Sequence, residues 1–190
     1  MDEKAYFYWS KSKLGPKNSA FGKWELFFIA TEKGLCVADI WEGSEHKMVH
    51  KIRDWVARHC PNGELVRCDE RLQPYMAQYA EYRSGKRSMF TFALDLRGTP
   101  FQLAVWRALL SVPYGQTATY SDMAADIGKP RAVRAVGAAI GANPILIAVP
   151  CHRVIGKNNK LTGFRAGLDM KRTLLEFERQ KQASHVSHYH

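Results

Sequence analysis

The chain of 190 residues has no apolar run of about 18 residues, contains only four cysteines and carries few acidic side chains. The missing apolar run excludes a transmembrane helix. The N-terminus, Met1-Asp2-Glu3-Lys4, is too polar and too acidic to open a secretory signal peptide. We therefore expect an intracellular globular protein with no membrane partner, located in the cytoplasm or, in a eukaryote, the nucleus.

The cysteines, at positions 36, 60, 68 and 151, are widely and irregularly spaced. This spacing excludes the dense disulfide framework of a small secreted domain, so we expect reduced thiols. His59, Cys60 and Cys68 lie close in sequence but lack the Cys-x-x-Cys pairs typical of zinc sites. Buried structural thiols are the favoured interpretation, and we expect neither a metal nor another cofactor.

The shortage of acidic residues gives 28 Lys+Arg against 18 Asp+Glu, a net charge of +10. Residues 1–100 hold 16 basic and 13 acidic side chains, whereas residues 101–190 hold 12 and 5. The positive charge is therefore concentrated in the C-terminal half. Nucleic acid is one partner that such a field attracts, although membranes and acidic proteins attract basic chains too.

The first hundred residues predict strands followed by helices. Aromatic and β-branched residues cluster at 5–10, 24–31 and 35–41, with Gly15-Pro16 and Lys33-Gly34 as turn signals between them. Helical apolar spacing follows at 44–59 and 71–83, and then a short strand near 89–94. We predict an α+β fold whose N-terminal part is a small, mostly antiparallel sheet with helices.

A break at Arg97-Gly98-Thr99-Pro100 predicts a domain boundary. We expect an N-terminal domain over 1–97, a mainly helical C-terminal domain over 98–182, and a flexible tail over 183–190. The tail contains His185, His188 and His190. We interpret these histidines as solvated rather than metal-binding.

Two short helices with a Gly-containing turn are predicted in the C-terminal half. Thr119-x-x-Asp122 resembles a capping box that opens a helix over 120–127, and Pro130 is predicted to start a second helix over 131–142. One side of that second helix carries Arg134, Gly137, Ala138 and Gly141. The arrangement is typical of a helix-turn-helix, but a close helix-helix contact inside the protein explains the small residues equally well.

An apolar run in 143–156 ends at Cys151, which lies between Pro150 and His152. Apolar burial raises the pKa of a thiol, whereas a nearby base favours the nucleophilic thiolate. His152 is a candidate for that base. Consecutive side chains often diverge, however, so a purely structural Cys-His pair fits the spacing as well.

The string Pro150-Cys151-His152-Arg153-Val154 resembles the active-site signature of the O6-alkylguanine-DNA alkyltransferases, also called methylated-DNA-protein-cysteine methyltransferases. The resemblance covers 98–180. Besides the pentapeptide, the features that match the family's spacing are Tyr120, the helix over 131–141, Asn143-Pro144, Gly163, Gly167-Leu168 and the final helix. Over 1–97 it is only architectural and implies a ribonuclease H-like domain.

The resemblance implies DNA repair by direct reversal of damage. In this family an alkyl group moves irreversibly, once per protein molecule, from O6-alkylguanine in double-stranded DNA to the cysteine after base flipping; O4-alkylthymine is a further candidate substrate. Cys151 matches the nucleophile. His152 matches the histidine that takes the thiol proton through a water, Glu178 the carboxylate that orients the imidazole, and Asn143 the hinge between the DNA-binding helix and the active-site segment.

The burial of Glu178 is also expected without the resemblance. Helical spacing over 169–182 forms an apolar stripe of Met170, Leu174 and Phe177, and Glu178 shares it. A carboxylate on an inward face needs a partner, although a Glu at the edge of the stripe that reaches solvent fits the spacing too.

The resemblance further implies how DNA is held. Arg134 matches the arginine finger that fills the space of the flipped base, and Tyr120 matches the tyrosine that helps rotate the 3′ phosphate. The small residues of the second helix would lie along the minor groove: Ala135, Gly137, Ala138 and Gly141.

The substrate pocket is implied at Val154, whose carbonyl reads the guanine edge, and at the loop Phe164-Arg165-Ala166. Arg165 departs from the pattern, since smaller or polar residues are commoner there. We expect a monomer without an obligatory protein partner. A non-reactive alkyltransferase-like protein, a helix-turn-helix regulator and a cysteine hydrolase are the alternatives.

Overall fold

The computed structural model describes residues 5–186, and the chain divides into two compact units after Arg97. In the N-terminal unit four strands form one sheet of order β3-β2-β1-β4. The strands are β1 (Tyr6–Lys13), β2 (Glu25–Thr31), β3 (Gly34–Trp41) and β4 (Glu64–Arg67). Pairing of β1 with β2 and of β2 with β3 is antiparallel, while β4 runs parallel to β1. The predicted mostly antiparallel sheet is confirmed.

The strand predicted near 89–94 is wrong. That segment pairs only through an isolated parallel bridge between Leu35 and Leu94. The backbone N–H of Thr91 instead donates to the side-chain oxygen of Gln78, at 2.9 Å. Phe90 packs on Tyr79 and Phe92 on Tyr75, with ring centroids 4.9 and 5.0 Å apart, so aromatic packing and this side-chain hydrogen bond hold the segment in place of a strand ladder.

Two helices complete the N-terminal unit, α1 (Glu45–His59) and α2 (Asp69–Ser84). Helix α1 begins after Ser44, whose hydroxyl accepts the N–H of Lys47. Its buried residues Met48, Ile52 and Val56 recur every four positions, so one face of α1 joins the hydrophobic core of the sheet.

The C-terminal unit is mainly helical. Its described helices are α3 (Pro100–Leu109), α4 (Tyr120–Asp126), α5 (Val133–Gly141) and α6 (Leu168–Val186). Two short strands, β5 (Ala118–Thr119) and β6 (Val154–Ile155), pair in parallel, and a 3-10 helix, Cys151–Arg153, precedes β6. Helix α6 continues four residues beyond 182, and residues 187–190 of the predicted tail lie outside the described residues.

Helices α4 and α5 form the predicted pair of short helices. The capping box is confirmed, because Thr119 and Asp122 exchange both of its hydrogen bonds. The predicted start of the second helix is wrong by two residues: Ala132 N–H donates to Lys129 O, which closes a turn before α5 begins at Val133. Trp106 of α3 donates to Ala139 O at 2.8 Å and fixes the buried side of α5.

Candidate active site

The segment before Cys151 is buried and contains two three-residue turns. Ala148 N–H donates to Leu146 O around Ile147, which has a φ of 72°. A β-branched residue in this left-handed region is strained by about 1–3 kcal/mol, so the surrounding contacts must hold it there. Cys151 N–H donates to Val149 O around Pro150 in the second turn. The chain thereby delivers Cys151 to the start of the 3-10 helix.

Asn143 supplies much of that restraint. Its buried side-chain Nδ2 lies 2.9 Å from Val149 O and 3.2 Å from Ile145 O, and its Oδ1 accepts the N–H of Ile145 at 3.0 Å. The same Nδ2 lies 3.0 Å from Sγ of Cys151. Asn143 therefore ties the strained segment to the end of α5 and presents an N–H donor to the sulfur.

The Cys151 thiol is 3% exposed, and burial raises its pKa. The hydrogen bond from Asn143 and the charges of Arg165 and Lys171 act in the opposite direction. Since burial has the larger effect, the resting group is a thiol rather than a thiolate. A nucleophilic reaction at this sulfur needs a base.

His152 has the properties of such a base. Burial lowers the pKa of its imidazole, so the ring is neutral near pH 7. Its Nε2 lies 2.9 Å from Oε1 of Glu178. Because an ionised carboxylate only accepts hydrogen bonds, Nε2 carries the ring proton. Nδ1 then has a lone pair, and this buried atom has no hydrogen-bond partner among the described residues.

Glu178 is fully buried, and its carboxylate accepts hydrogen bonds from several donors. Arg153 approaches it twice, Nε to Oε2 and Nη2 to Oε1, each at 2.9 Å, and Gly115 N–H donates to Oε2 at 3.0 Å. Burial alone would raise the pKa of Glu178, but the charges and hydrogen bonds of His152 and Arg153 hold it well below its usual range. The carboxylate stays ionised and can stabilise a protonated His152.

Two buried cations of the site were assigned no role from sequence. Arg153 completes the Glu178 pair and donates through Nη1 to Val112 O at 2.7 Å. Lys171 is fully buried, and its Nζ lies 2.5 Å from Val154 O and 2.8 Å from Thr162 O, while burial lowers its pKa to about 8. Spacing offered a signal, because residues 171, 174 and 178 share one face of α6.

The residues predicted to face DNA lie on an exposed side of α5. Arg134, Ala135, Ala138 and Gly141 are exposed, while Val136, Ala139 and Ile140 are buried. Ala135, Ala138 and Gly141 are therefore not part of a helix-helix contact within this unit, whereas the half-buried Gly137 faces α4. Gly137 lies beside Tyr120, whose ring would be 3.7 Å from an added Cβ, and the Tyr120 hydroxyl donates to Thr162 O at 3.2 Å.

The predicted pocket residues lie in β6 and in a turn before α6. Val154 is buried, with its carbonyl bound to Lys171, whereas Phe164 and Ala166 are half-buried. Arg165 reaches from the turn to Asn143 O, at 2.8 Å. The structure thus brings Arg165, Asn143 and Cys151 together. Arg134, on the exposed side of α5, has no hydrogen bond or ion pair within 5–186 that joins it to this cluster.

The described residues contain neither a metal site nor a membrane-spanning helix. No group of three or more His, Cys, Asp and Glu side chains there is arranged to hold a metal ion. His59 stacks on Trp55, with ring centroids 4.2 Å apart, rather than facing Cys60 and Cys68 as a ligand set. In the same part of the chain, no helix combines the length and the apolar character needed to cross a membrane.

Comparison with known proteins gives consistent matches. Residues 100–180 match the family model of the 6-O-methylguanine DNA methyltransferase DNA binding domain. An inducible methylated-DNA-protein-cysteine methyltransferase of Bacillus subtilis (strain 168) is 51% identical over 160 residues, which cover 84% of this chain and 87% of that protein. A methylated-DNA-protein-cysteine methyltransferase of Methanosarcina barkeri is 43% identical over 153 residues, 80% of this chain and 89% of that protein.

Solved structures agree over both units. The O6-methylguanine methyltransferase of Mycobacterium tuberculosis is similar with a TM-score of 0.72 at 35% identity, covering 93% of this chain and 94% of that one. The same protein in complex with DNA matches with the same TM-score and coverage.

Proposed function

The chain belongs to the family of methylated-DNA-protein-cysteine methyltransferases, and we propose from this premise that it repairs DNA by moving an alkyl group from guanine O6 to Cys151. One observation carries the assignment of the residue. The buried Sγ of Cys151 accepts a hydrogen bond from Asn143 at 3.0 Å and is followed by a neutral His152 bound to an ionised Glu178 at 2.9 Å. Cys151 and His152 are adjacent in the chain, and His152 is hydrogen-bonded to Glu178, so this buried segment supplies a nucleophile, a base and an orienting acid.

The first step is removal of the thiol proton. Nδ1 of His152 accepts it, by way of a bridging water, and the imidazolium that forms is stabilised by Glu178. Asn143 donates to the sulfur and stabilises the thiolate. Arg153 keeps Glu178 ionised, so the carboxylate is available throughout.

The second step is an in-line displacement at the alkyl carbon. A lone pair of Sγ forms the C–S bond while the C–O6 bond breaks and leaves its electron pair on O6. The guanine returns to its lactam form by taking one proton at N1, which balances the proton lost from the thiol. The thioether on Cys151 is stable, so each protein molecule reacts once.

Delivery of the base uses the exposed side of α5. Because O6 faces the interior of the duplex, the base must leave the stack at a cost of a few kcal/mol. Arg134 fills the vacated space and Tyr120 helps rotate the 3′ phosphate, while Ala135, Gly137, Ala138 and Gly141 let the α5 backbone lie along the minor groove. Affinity rests largely on phosphate contacts, so it falls as salt rises.

The flipped base enters a pocket lined by Val154 and by Phe164, Arg165 and Ala166. Lys171 holds the Val154 carbonyl that faces the guanine edge. In this proposal residues 98–182 form the domain that binds DNA and accepts the alkyl group, and 1–97 form a ribonuclease H-like domain. The partner is double-stranded DNA with O6-alkylguanine, or O4-alkylthymine as a second lesion, and the protein acts as a monomer.

The test is incubation with a duplex that carries one O6-methylguanine, followed by intact mass measurement and peptide mapping. We expect the protein to gain one methyl group, located on the peptide that contains Cys151. Recovery of unmodified protein, or catalytic release of methylated product, would overturn the proposal. An undamaged duplex of the same sequence is the control.

Arg134→Ala is expected to slow methyl transfer from duplex DNA by about ten- to a hundredfold, since the extrahelical base then lacks the side chain that replaces it in the stack. Reaction with free O6-methylguanine base should be unchanged, because no stack is opened. Single-turnover rates with both substrates check this. Arg131→Ala, which removes the same charge from the exposed turn before α5, is the matched control; equal slowing on both substrates would contradict the finger role.

A further inference from the structure

Arg165 occupies the corner of a tight turn beside the site. Gly167 N–H donates to Phe164 O at 3.0 Å, which closes a four-residue turn with Arg165 at its second position. Gly167 has a φ of 84°, a left-handed conformation that suits glycine. The turn therefore projects the Arg165 side chain, and its Nη2 reaches Asn143 O at 2.8 Å.

This contact makes Asn143 a bridge between the turn and the sulfur. The backbone carbonyl of Asn143 accepts from Arg165, while its side-chain Nδ2 donates to Sγ of Cys151 at 3.0 Å. The carbonyl lies just beyond the last residue of α5, Gly141, where helix carbonyls favour a cation. Arg165 thus fixes the residue whose amide orients the thiol.

The rest of the loop is anchored separately. Lys171 binds Thr162 O at 2.8 Å, and the Tyr120 hydroxyl binds the same carbonyl at 3.2 Å. Those bonds hold the start of the loop against α6 and α4. The Arg165 bond ties its tip to Asn143.

We propose that Arg165 is a positioning residue for the thiol. Its hydrogen bond from the substrate loop holds the backbone of Asn143 in place, and this keeps the side-chain amide of Asn143 bonded to Sγ of Cys151. The proposal rests on the proposed function of the Cys151 site.

Charge supports the same role. The groups that face Cys151 are neutral His152 on its own segment, Asn143 after α5, Lys171 on α6 and Arg165 on the turn. Both cations favour the thiolate, and burial opposes them. Removal of Arg165 therefore takes away one of two charges that favour the reactive form, together with the restraint on Asn143.

The test compares Arg165→Ala, Arg165→Gln and Arg165→Lys with Arg172→Ala. Arg172 is an exposed arginine on α6 whose ion-pair partner is Asp169, at 3.5 Å, so its variant matches the charge loss without touching Asn143. Single-turnover rates are measured against the concentration of O6-methylguanine duplex and against pH. Thermal melting of each variant checks that the exposed substitution leaves the unit folded.

We expect Arg165→Ala to lower the rate at saturating DNA about tenfold, with the half-saturating DNA concentration within about threefold of wild type. The pH of half-maximal rate should rise by about one unit, because the thiolate is less favoured. Arg165→Lys should restore most of the wild-type pH dependence and part of the wild-type rate. Arg165→Gln should restore part of the rate but leave the pH dependence shifted. Arg172→Ala should match wild type in both.

Iodoacetamide labelling of Cys151, followed by peptide mass, repeats the pH comparison without DNA. Lys171 also titrates, with a pKa of about 8, but it is common to every variant, so the difference between variants reports Arg165. Arg165→Ala that behaves as Arg172→Ala, or that changes only the half-saturating concentration, overturns the proposal. If wild-type protein gains no methyl group, it is the proposed function that has failed.

Discussion

Glu178→Ala is expected to lower the free energy of unfolding of the C-terminal unit by about 3–5 kcal/mol and to remove fast methyl transfer. Glu178 is fully buried and accepts hydrogen bonds from His152, Arg153 and Gly115. Truncation leaves the Arg153 guanidinium buried without a counter-charge, and this penalty exceeds the loss of any single hydrogen bond. His152 also loses the acceptor that fixes its protonated nitrogen.

Glu176→Ala is the matched control, because Glu176 is exposed on the same helix and its loss should change stability by no more than about 0.5 kcal/mol. Denaturant unfolding, with amide hydrogen exchange of α6 to localise the effect, measures both variants. Glu178→Gln keeps the volume but not the charge, and should fall between them. Equal stability of the Glu178→Ala and Glu176→Ala proteins would show that the network adds nothing to the fold.

The same network predicts sensitivity to acid in the wild-type protein. The pKa of Glu178 is depressed below 4.5, so its contribution is complete above that pH and is lost as the pH falls toward the folded-state value. The pKa of His152 is lowered below 6.5 in the folded protein. Below pH 6.5 the imidazole is therefore protonated in the unfolded chain but still neutral in the folded one, which favours unfolding. The free energy of unfolding should therefore decline from about pH 6.5 downward. The loss of stability below pH 4.5 should be smaller in Glu178→Ala than in wild type.

The parts that could be predicted from sequence are those fixed by local pattern. The capping box at Thr119 needs only two side chains three residues apart, and the buried position of Glu178 follows from helical spacing after Leu174. Strand β4 was missed, since its four residues pair only at the parallel edge of β1 and show no alternation of buried and exposed positions.

The chemistry of the site depends on contacts that no local pattern contains. Asn143 reaches Sγ only because a strained turn at Ile147 folds the segment back, and Arg165 reaches Asn143 from 22 residues further along the chain. Lys171 was missed because a lysine on an inward face is ordinarily placed in solvent. Three backbone carbonyls make its burial possible here: those of Val154, Thr162 and Gly163.

Cys36 and Cys151 are two buried thiols whose surroundings differ. Both are buried, which raises both pKa values. The Cys36 thiol lies 3.5 Å from the Asp95 carboxylate, and that negative charge adds to burial and raises its pKa to about 12. Cys151 instead accepts a hydrogen bond from the amide of Asn143. The direction of the hydrogen bond at sulfur distinguishes them.

Cys151→Ser is therefore expected to abolish methyl transfer while it preserves fold and DNA binding. The serine oxygen can accept the Asn143 amide hydrogen as sulfur does, so the hinge keeps its bonds. A serine hydroxyl is a weak nucleophile at its ordinary pKa, and His152 alone does not raise it to the reactivity of a thiolate. Intact mass after incubation with O6-methylguanine duplex, together with a DNA titration of the same variant, gives both readouts.

The outcome distinguishes a nucleophile from a structural cysteine because the chain contains its own controls. Cys60 and Cys68 are half-buried free thiols in the N-terminal unit, and Cys60→Ser and Cys68→Ser should gain one methyl group as wild type does. If Cys151→Ser still gains a methyl group, the acceptor is another residue and the Asn143 bond to sulfur has only a structural role. If it loses DNA binding as well as transfer, the thiol supports the position of α5, since Asn143 joins the two.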